Sequence, residues 1–187
     1  MAVNLRKGER VNLSSQSNRV SGVIVGLGWD CAAEGNAAVD CDLSAILCDF
    51  SGKAVDVIYF GKMRSANDAV VYTGDNRNGE GSGDDERIYV NFTKIPRDIG
   101  KIVICTNIYD AKAKRQHFGM VSNAFVHIIN WKTGVEMCRF SLTDNYSGMS
   151  GIIVAEIPLT SAGWDFLPLG RAVQEASRLQ SIVKLYQ

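Results

Sequence analysis

The sequence is poor in several features that would assign a function at once. It has three prolines, two histidines and no excess charge of either sign, with 20 basic and 20 acidic residues. A balanced chain has no overall field that attracts nucleic acid. No apolar run approaches the roughly 18 residues that a membrane span needs, and the N-terminus lacks the apolar stretch of a signal peptide. We therefore expect a cytoplasmic protein with no transmembrane segment and no nucleic-acid partner, associated with a membrane only through partner proteins.

Metal-binding cysteine motifs and catalytic motifs are also missing. The five cysteines include no C-x-x-C pair, and neither His117 nor His127 is close to a cysteine pair, which argues against zinc. Without an export signal, we expect the cysteines to be reduced and mostly buried. Of these, Cys41 alone lies between two acidic residues, where soft-element or oxidant chemistry competes with the simpler interpretation of a buried thiol. The motifs G-x-S-x-G, the P-loop and H-E-x-x-H do not occur, so we expect no enzymatic activity.

What is present is the composition of one globular domain. The chain has 187 residues, of which 46% are hydrophobic and 21% charged. A chain of this size buries about 70% of its extended surface, enough for a core without metal or disulfide support. We expect a single domain over residues 1–187, divided into a β sandwich at 1–170 and a C-terminal helix at 171–187.

Short β strands separated by turn residues account for most of the pattern. The predicted strands cover residues 20–27, 43–48, 55–60, 69–73, 87–92, 101–109, 124–129, 135–142, 151–157 and 164–169. Nine or ten short strands with few helical patterns between them predict an all-β, antiparallel β-sandwich. The tail differs, because apolar residues recur there every three or four positions from Val173 to Tyr186. This spacing predicts an amphipathic helix docked on the sandwich.

The charges are strongly segregated along the chain. Residues 30–42 contain four acidic and no basic residues, and residues 75–86 contain five acidic residues and one arginine. The following stretch, residues 87–116, is basic. Negative charge at this density repels itself unless a cation offsets it.

The most informative segment is the glycine-rich acidic loop at residues 74–86. It offers carboxylates, asparagine carbonyls and a serine hydroxyl, which are all hard oxygen donors. Ca²⁺ takes six to eight oxygens in irregular geometry, whereas zinc prefers histidine or thiolate. The spacing is not that of an EF-hand, because Arg77 occupies a ligand position. A solvated acidic loop between two strands is the simpler alternative.

Five segments in order resemble the TerD family of tellurium-resistance and general stress proteins. They are Gly26-Leu27-Gly28-Trp29-Asp30, Asp40-Cys41-Asp42-Leu43-Ser44-Ala45, the loop from Gly74-Asp75-Asn76 to Asp84-Asp85-Glu86, Ile108-Tyr109-Asp110-Ala111 and Phe118-Gly119-Met120-Val121-Ser122-Asn123-Ala124-Phe125. The resemblance implies a calcium-binding β-sandwich of bacterial stress operons. His127 stands where the family usually has arginine, and Ser82 interrupts a run that is often acidic.

The resemblance and the oxygen donors together define the candidate ligands for one or two calcium ions. They are Asp30, Asp40, Asp42, Asp75, Asn76, Asn78, Gly79, Glu80, Asp84, Asp85, Glu86 and Asp110. For Asp110, a role as a helix or turn cap is an equally good interpretation.

Three functions remain open at this point. The first is a calcium-binding stress-response protein whose ion-ordered loops form a surface for partners such as other stress or tellurium-resistance proteins. The second is a metal-dependent enzyme acting on a phosphate-containing or small-molecule substrate. The third is a structural binding module in which the ion only stabilises the fold.

Overall fold

A computed structural model describes residues 2–14, 20–31, 38–74 and 83–187, with the side chain of Cys31 excepted. Within these ranges the chain forms twelve strands in two six-stranded sheets. The all-β, predominantly antiparallel fold expected from the sequence is therefore confirmed, with two more strands than the upper estimate. The two additional strands are each two residues long and lie near the N-terminus.

The first sheet contains the strand that precedes the first acidic segment and the strand that follows the glycine loop. In spatial order its strands are β1 (Val3–Asn4), β10 (Glu136–Ser141), β9 (Val121–Asn130), β3 (Gly22–Cys31), β7 (Glu86–Asn91) and β6 (Val70–Tyr72). All neighbours are antiparallel except β1 and β10, which are parallel.

The second sheet is antiparallel throughout. In spatial order its strands are β2 (Val11–Asn12), β12 (Gly163–Val173), β11 (Gly151–Thr160), β8 (Ile99–Ile108), β4 (Cys41–Asp49) and β5 (Ala54–Ile58). Two short α-helices, α1 (Ala111–Lys114) and α2 (Leu179–Val183), lie outside the sheets, with 3₁₀ turns at Phe92–Lys94, Phe118–Met120 and Lys184–Tyr186.

The main core lies between the two sheets. Strand β7 shows how the sequence builds it, because its burial alternates and places Ile88 and Val90 inside with Arg87 outside. This is the one-sided burial that its alternating sequence predicts. Glu86 begins the same strand on the core side and is fully buried, so a carboxylate lies at the edge of an apolar core.

Strand β4 is buried on both faces, which is unusual for a sandwich strand. Leu43 and Leu47 face the main core, whereas Ile46 and Cys48 belong to a second apolar cluster on the outer face. The C-terminal residues Leu179 and Ile182 complete that second cluster. The tail thus docks on the sandwich because the second sheet is apolar on its outer face as well as its inner face.

The start of the C-terminal helix was predicted too early. Residues 171–173 continue β12, and α2 begins only at Leu179. Val173 is paired with Gly151 in the β11–β12 ladder, and this tertiary pairing overrides the helical spacing of the apolar residues. The helical segment is consequently short. No helix among the described residues is long and apolar enough to cross a membrane.

Candidate functional site

The two acidic segments meet where β3 ends and where β4 and β7 begin. In the antiparallel β3–β7 pair, Leu27 lies opposite Glu86, so the end of β3 is next to the start of β7. The carboxylate of Glu86 accepts a hydrogen bond from the Leu43 backbone N–H of β4. This bond joins the two sheets, and it places residues 83–86 beside the first residues of β4.

Trp29 fixes the same region from the other side. The pairing of β3 with β9 is irregular between Gly28 and Asp30, which leaves Trp29 outside the ladder. The Trp29 backbone N–H donates instead to Asp85 Oδ2 at 2.9 Å, and its indole Nε1 donates to the Val39 carbonyl at 3.0 Å. The tryptophan is buried in the core, and it also holds both acidic segments together.

Asp84 is part of an ion-pair chain across the first sheet. Its carboxylate lies 2.6 Å from His127 Nε2 and 2.8 Å from Arg87 Nε. The other ring nitrogen of His127 lies 2.8 Å from Glu136 Oε2, and Arg139 in turn donates to Glu136. Both ring nitrogens of His127 thus lie within 2.8 Å of a carboxylate oxygen, an arrangement that favours the imidazolium form of the ring.

The contacts within this ion-pair chain determine the pKa values of its members. Burial alone lowers the pKa of His127, but hydrogen bonds to Asp84 and Glu136 outweigh burial and raise it above the ordinary value. Burial likewise raises the pKa of Asp84, and the hydrogen bonds from His127 and Arg87 reverse this and lower it. The hydrogen bond from Arg139 lowers the pKa of Glu136 to about 2. Asp84 is therefore an ionised carboxylate whose charge is already balanced.

Glycines in the G-L-G-W-D segment make room for these groups. A Cβ atom on Gly26 would lie 2.4 Å from Asp84 Oδ2, and a Cβ on Gly28 would lie 2.7 Å from the Gly83 carbonyl. Real Cβ atoms do not approach other atoms this closely. Gly26 thus leaves room for the side chain of Asp84, and Gly28 leaves room for the Gly83 carbonyl and the Phe125 ring.

The other described candidates are spread around this region. Asp30 is exposed and accepts a hydrogen bond from Asn123 Nδ2 at 2.8 Å. Asp40 lies 3.8 Å from Lys114 Nζ, and its carbonyl accepts from the Tyr109 N–H. Asp110 occupies the position before α1 in a left-handed conformation, and its side chain makes no capping hydrogen bond.

Asp42 faces away from the sandwich core. It alternates with Leu43, so its side chain lies on the outer face of the second sheet, where Asn107 Nδ2 is 3.5 Å from Asp42 Oδ2. Sequence reasoning grouped Asp42 with the residues of the glycine loop. The β4 sequence does not reveal this separation, because the strand is buried on both faces and lacks a polar–apolar alternation.

Five candidates lie outside the described residues, namely Asp75, Asn76, Asn78, Gly79 and Glu80. Within the described ranges alone, no group of three or more histidine, cysteine, aspartate or glutamate side chains has the arrangement of a metal site. The donor chemistry nevertheless suits a hard cation, because Asp85 and Glu86 are carboxylates held by backbone N–H groups at the converging strand ends. A complete calcium shell would need oxygens from residues 75–80.

Several contacts of the site were not foreseen from the sequence. The partners of His127 come from elsewhere in the chain, since Asp84 precedes β7 and Glu136 begins β10. Four of the cysteines, Cys41, Cys48, Cys105 and Cys138, are buried, as expected.

Comparison with known proteins assigns the chain to a family. The model of the TerD domain matches residues 1–186. The chain belongs to the TerD family. It is 36% identical over 200 residues to the stress response protein SCP2 of Bacillus subtilis (strain 168), covering 100% of both chains. It is 38% identical over 173 residues to the tellurium resistance protein TerD of an Alcaligenes species, covering 91% of this chain and 90% of that protein.

A solved structure supports the fold. The crystal structure of a TerD homologue from Streptomyces coelicolor A3(2) superposes with a TM-score of 0.70 at 21% identity. The match covers 83% of this chain and 92% of that one. The names of the two sequence relatives describe stress and resistance proteins rather than enzymes.

Proposed function

We propose that this TerD-family protein is a cytoplasmic, calcium-binding stress-response protein without catalytic activity. The observation that supports the proposal best is the bond from the Leu43 N–H to Glu86, which brings two acidic segments from different sheets to one end of the sandwich. Fixed carboxylates at a strand-end junction repel each other until a cation offsets them.

The structure favours some of the candidate ligands over others. The carboxylates of Asp85 and Glu86 accept hydrogen bonds from backbone N–H groups, which hold them at the junction. Asp40 immediately precedes β4, the strand that supplies one of these N–H groups. Asp84 is neutralised by His127 and Arg87, and Asp42 lies on the outer face of its sheet. We assign the ion chiefly to Asp85, Glu86 and Asp40 with the five candidates of residues 75–80, and less to Asp30, Asp42, Asp84 and Asp110.

The ion would supply positive charge that orders the acidic loops. The ordered loops, flanked by the basic residues of α1, would present adjacent negative and positive surfaces. Such a surface suits a protein partner with complementary charge. The family suggests other stress or tellurium-resistance proteins as partners.

Calorimetric titration with Ca²⁺ tests the proposal. We expect one or two ions to bind at about 10⁻⁷ to 10⁻⁵ M, the range of sensor sites with several carboxylates. Millimolar Mg²⁺ should compete poorly, because it demands octahedral geometry and loses water reluctantly. Absence of calcium binding, or displacement by Mg²⁺ at a comparable concentration, would exclude the proposed site.

A further inference from the structure

A separate cavity of about 270 Å³ opens on the outer face of the second sheet, beside the C-terminal segment. Its floor consists of Asp42 and Ser44 from β4 and Asn107 from β8. Asp42 and Asn107 lie opposite each other in the β4–β8 ladder, so the three side chains form one small polar surface.

The floor contains buried polar atoms that have no partner in the structure. Ser44 is fully buried and Asn107 is 2% exposed. Among the described residues, none forms a hydrogen bond with Ser44 Oγ or with Asn107 Oδ1. Buried polar atoms without partners are costly, and two of them belong to residues that line this one cavity, which points to a ligand there.

The floor presents three oxygen acceptors. They are the Asp42 carboxylate, Asn107 Oδ1 and Ser44 Oγ, while the Asn107 amide N–H is already directed at Asp42. A primary ammonium group carries three N–H donors and no acceptor. The number and type of groups on the floor therefore match an ammonium group.

The walls of the cavity are aromatic. Phe60 contacts Tyr59 and Tyr109 edge to face, with ring centroids 5.3 and 5.8 Å apart. Phe60 and Tyr109 are 41% and 47% exposed, which is unusual for large rings next to a core. Rings in this position suit a flat or apolar ligand body, and they favour a neighbouring cation.

An exposed cation completes the lining. Arg178 lies at the rim, immediately before α2. A simple organic cation on the floor would be repelled by this guanidinium, whereas a ligand carboxylate would pair with it. The cavity is smaller than the roughly 300–1,000 Å³ of sites for drug-sized ligands, which limits the ligand to a small molecule.

We propose that this cavity binds a small zwitterionic amino compound with an aromatic or apolar body, such as a free aromatic amino acid. The ammonium donates to Asp42, Asn107 and Ser44, the body packs against the aromatic walls, and the carboxylate pairs with Arg178. This site uses Asp42 on the outer face of β4, and not Asp85 or Glu86, to which calcium is chiefly assigned.

Calorimetric titration of the full chain in the presence of a chelator tests the proposal independently of calcium. The probes are phenylalanine, phenethylamine, which lacks the carboxylate, and phenylacetate, which lacks the amine. We expect phenylalanine to bind and each of the other two to bind at least about tenfold more weakly, since each loses a charge-assisted contact. No binding of phenylalanine, or equal binding of phenylacetate, overturns the proposal.

Variants assign the two ends of the ligand. Arg178→Gln should weaken phenylalanine binding about tenfold and leave phenethylamine binding equal or stronger, because the variant loses the carboxylate partner and the repulsion of a lone cation together. Lys184→Gln removes a charge from the same terminal segment outside the cavity and should change neither. Unchanged phenylalanine binding by Arg178→Gln overturns the assignment of the carboxylate.

Ser44→Ala separates a binding role from a structural one. Removing a buried hydroxyl without a partner should leave the melting temperature of the free protein unchanged or raise it. The same variant should weaken phenylalanine binding, because the ammonium loses one acceptor. Binding equal to that of the parent protein shows that Ser44 is not part of a ligand site and contradicts the proposed floor.

Discussion

Gly26 illustrates how one residue depends on a distant part of the chain. The backbone conformation of Gly26 is that of an ordinary strand residue, so its dihedral angles do not require glycine. The restriction comes from the Asp84 carboxylate, whose three outer atoms lie 2.4 to 2.6 Å from where a Cβ would be. The motif is therefore readable in the sequence, but its cause is visible only in the fold.

The first prediction concerns this contact. Gly26→Ala should lower the free energy of unfolding by about 1–3 kcal/mol, because the methyl group forces the Asp84 ion pair or the strand to move. Gly74→Ala is the matched control, since its nearest neighbour would be 3.5 Å from the new Cβ. Denaturant unfolding of both variants measures the difference, and equal losses would contradict the steric explanation.

The second prediction concerns pH and the His127 ion-pair chain. The folded pKa of His127 is raised above 6.5, so its stabilisation is complete below about pH 6.5 and is lost as pH rises through the raised value. The folded pKa of Glu136 is lowered from 4.5 to about 2, so its contribution is complete above pH 4.5 and is lost as pH falls toward 2. The ion-pair chain also includes Asp84, Arg87 and Arg139. It should stabilise the folded protein most between about pH 4.5 and pH 6.5.

His127→Gln tests that window. In the presence of a chelator, the variant should lose about 2 kcal/mol or more of unfolding free energy near pH 5.5, because it leaves buried Asp84 short of a cationic partner. The loss should shrink as pH rises through the raised pKa of His127, because the parent histidine then loses its proton as well. A loss that does not shrink at any pH above about 5.5 at which the parent protein stays folded would show that the imidazolium does not stabilise the fold.

At the scale of elements, the sequence predicted what depends on local pattern. The alternation in β7 and the short, turn-bounded strands indicated an antiparallel sandwich, and the apolar tail indicated a docked helix. The start of α2 was missed because Val173 satisfies both the helical spacing and the β11–β12 pairing. The direction of Asp42 and the partners of His127 were also missed, because strand pairing and two-sided burial determine them.

The third prediction concerns the docked tail. Ile182 is fully buried against the outer face of the second sheet, whereas Leu185, three residues later, is 54% exposed. Ile182→Ala should lower the unfolding free energy by about 2–5 kcal/mol, the usual range for truncating a buried aliphatic side chain. Leu185→Ala should change it by less than about 0.5 kcal/mol. Similar small effects in denaturant unfolding would show that the tail is not docked.

At the scale of the whole molecule, a chain with no net charge brings acidic residues from two segments, Asp40 and residues 84–86, to one junction between its sheets. The sandwich core extends well beyond that junction, so the fold should persist without metal. A ligand that binds only the folded chain stabilises it by about 2.7 kcal/mol at a hundredfold excess over its Kd. For a domain of this size, that corresponds to a rise in melting temperature of about 5–10 °C.

Thermal melting with calcium and with chelator shows whether the acidic junction binds calcium. The parent protein should show the calcium-dependent rise, and Asp75→Asn and Asp85→Asn should each reduce it, because each removes a candidate carboxylate. Asp68→Asn is the matched control, since it removes an exposed carboxylate that pairs with Arg64 away from the junction. The Asp68→Asn variant should keep the full calcium-dependent rise in melting temperature. The absence of a rise in the parent protein, or an equal rise in all three variants, would contradict the account.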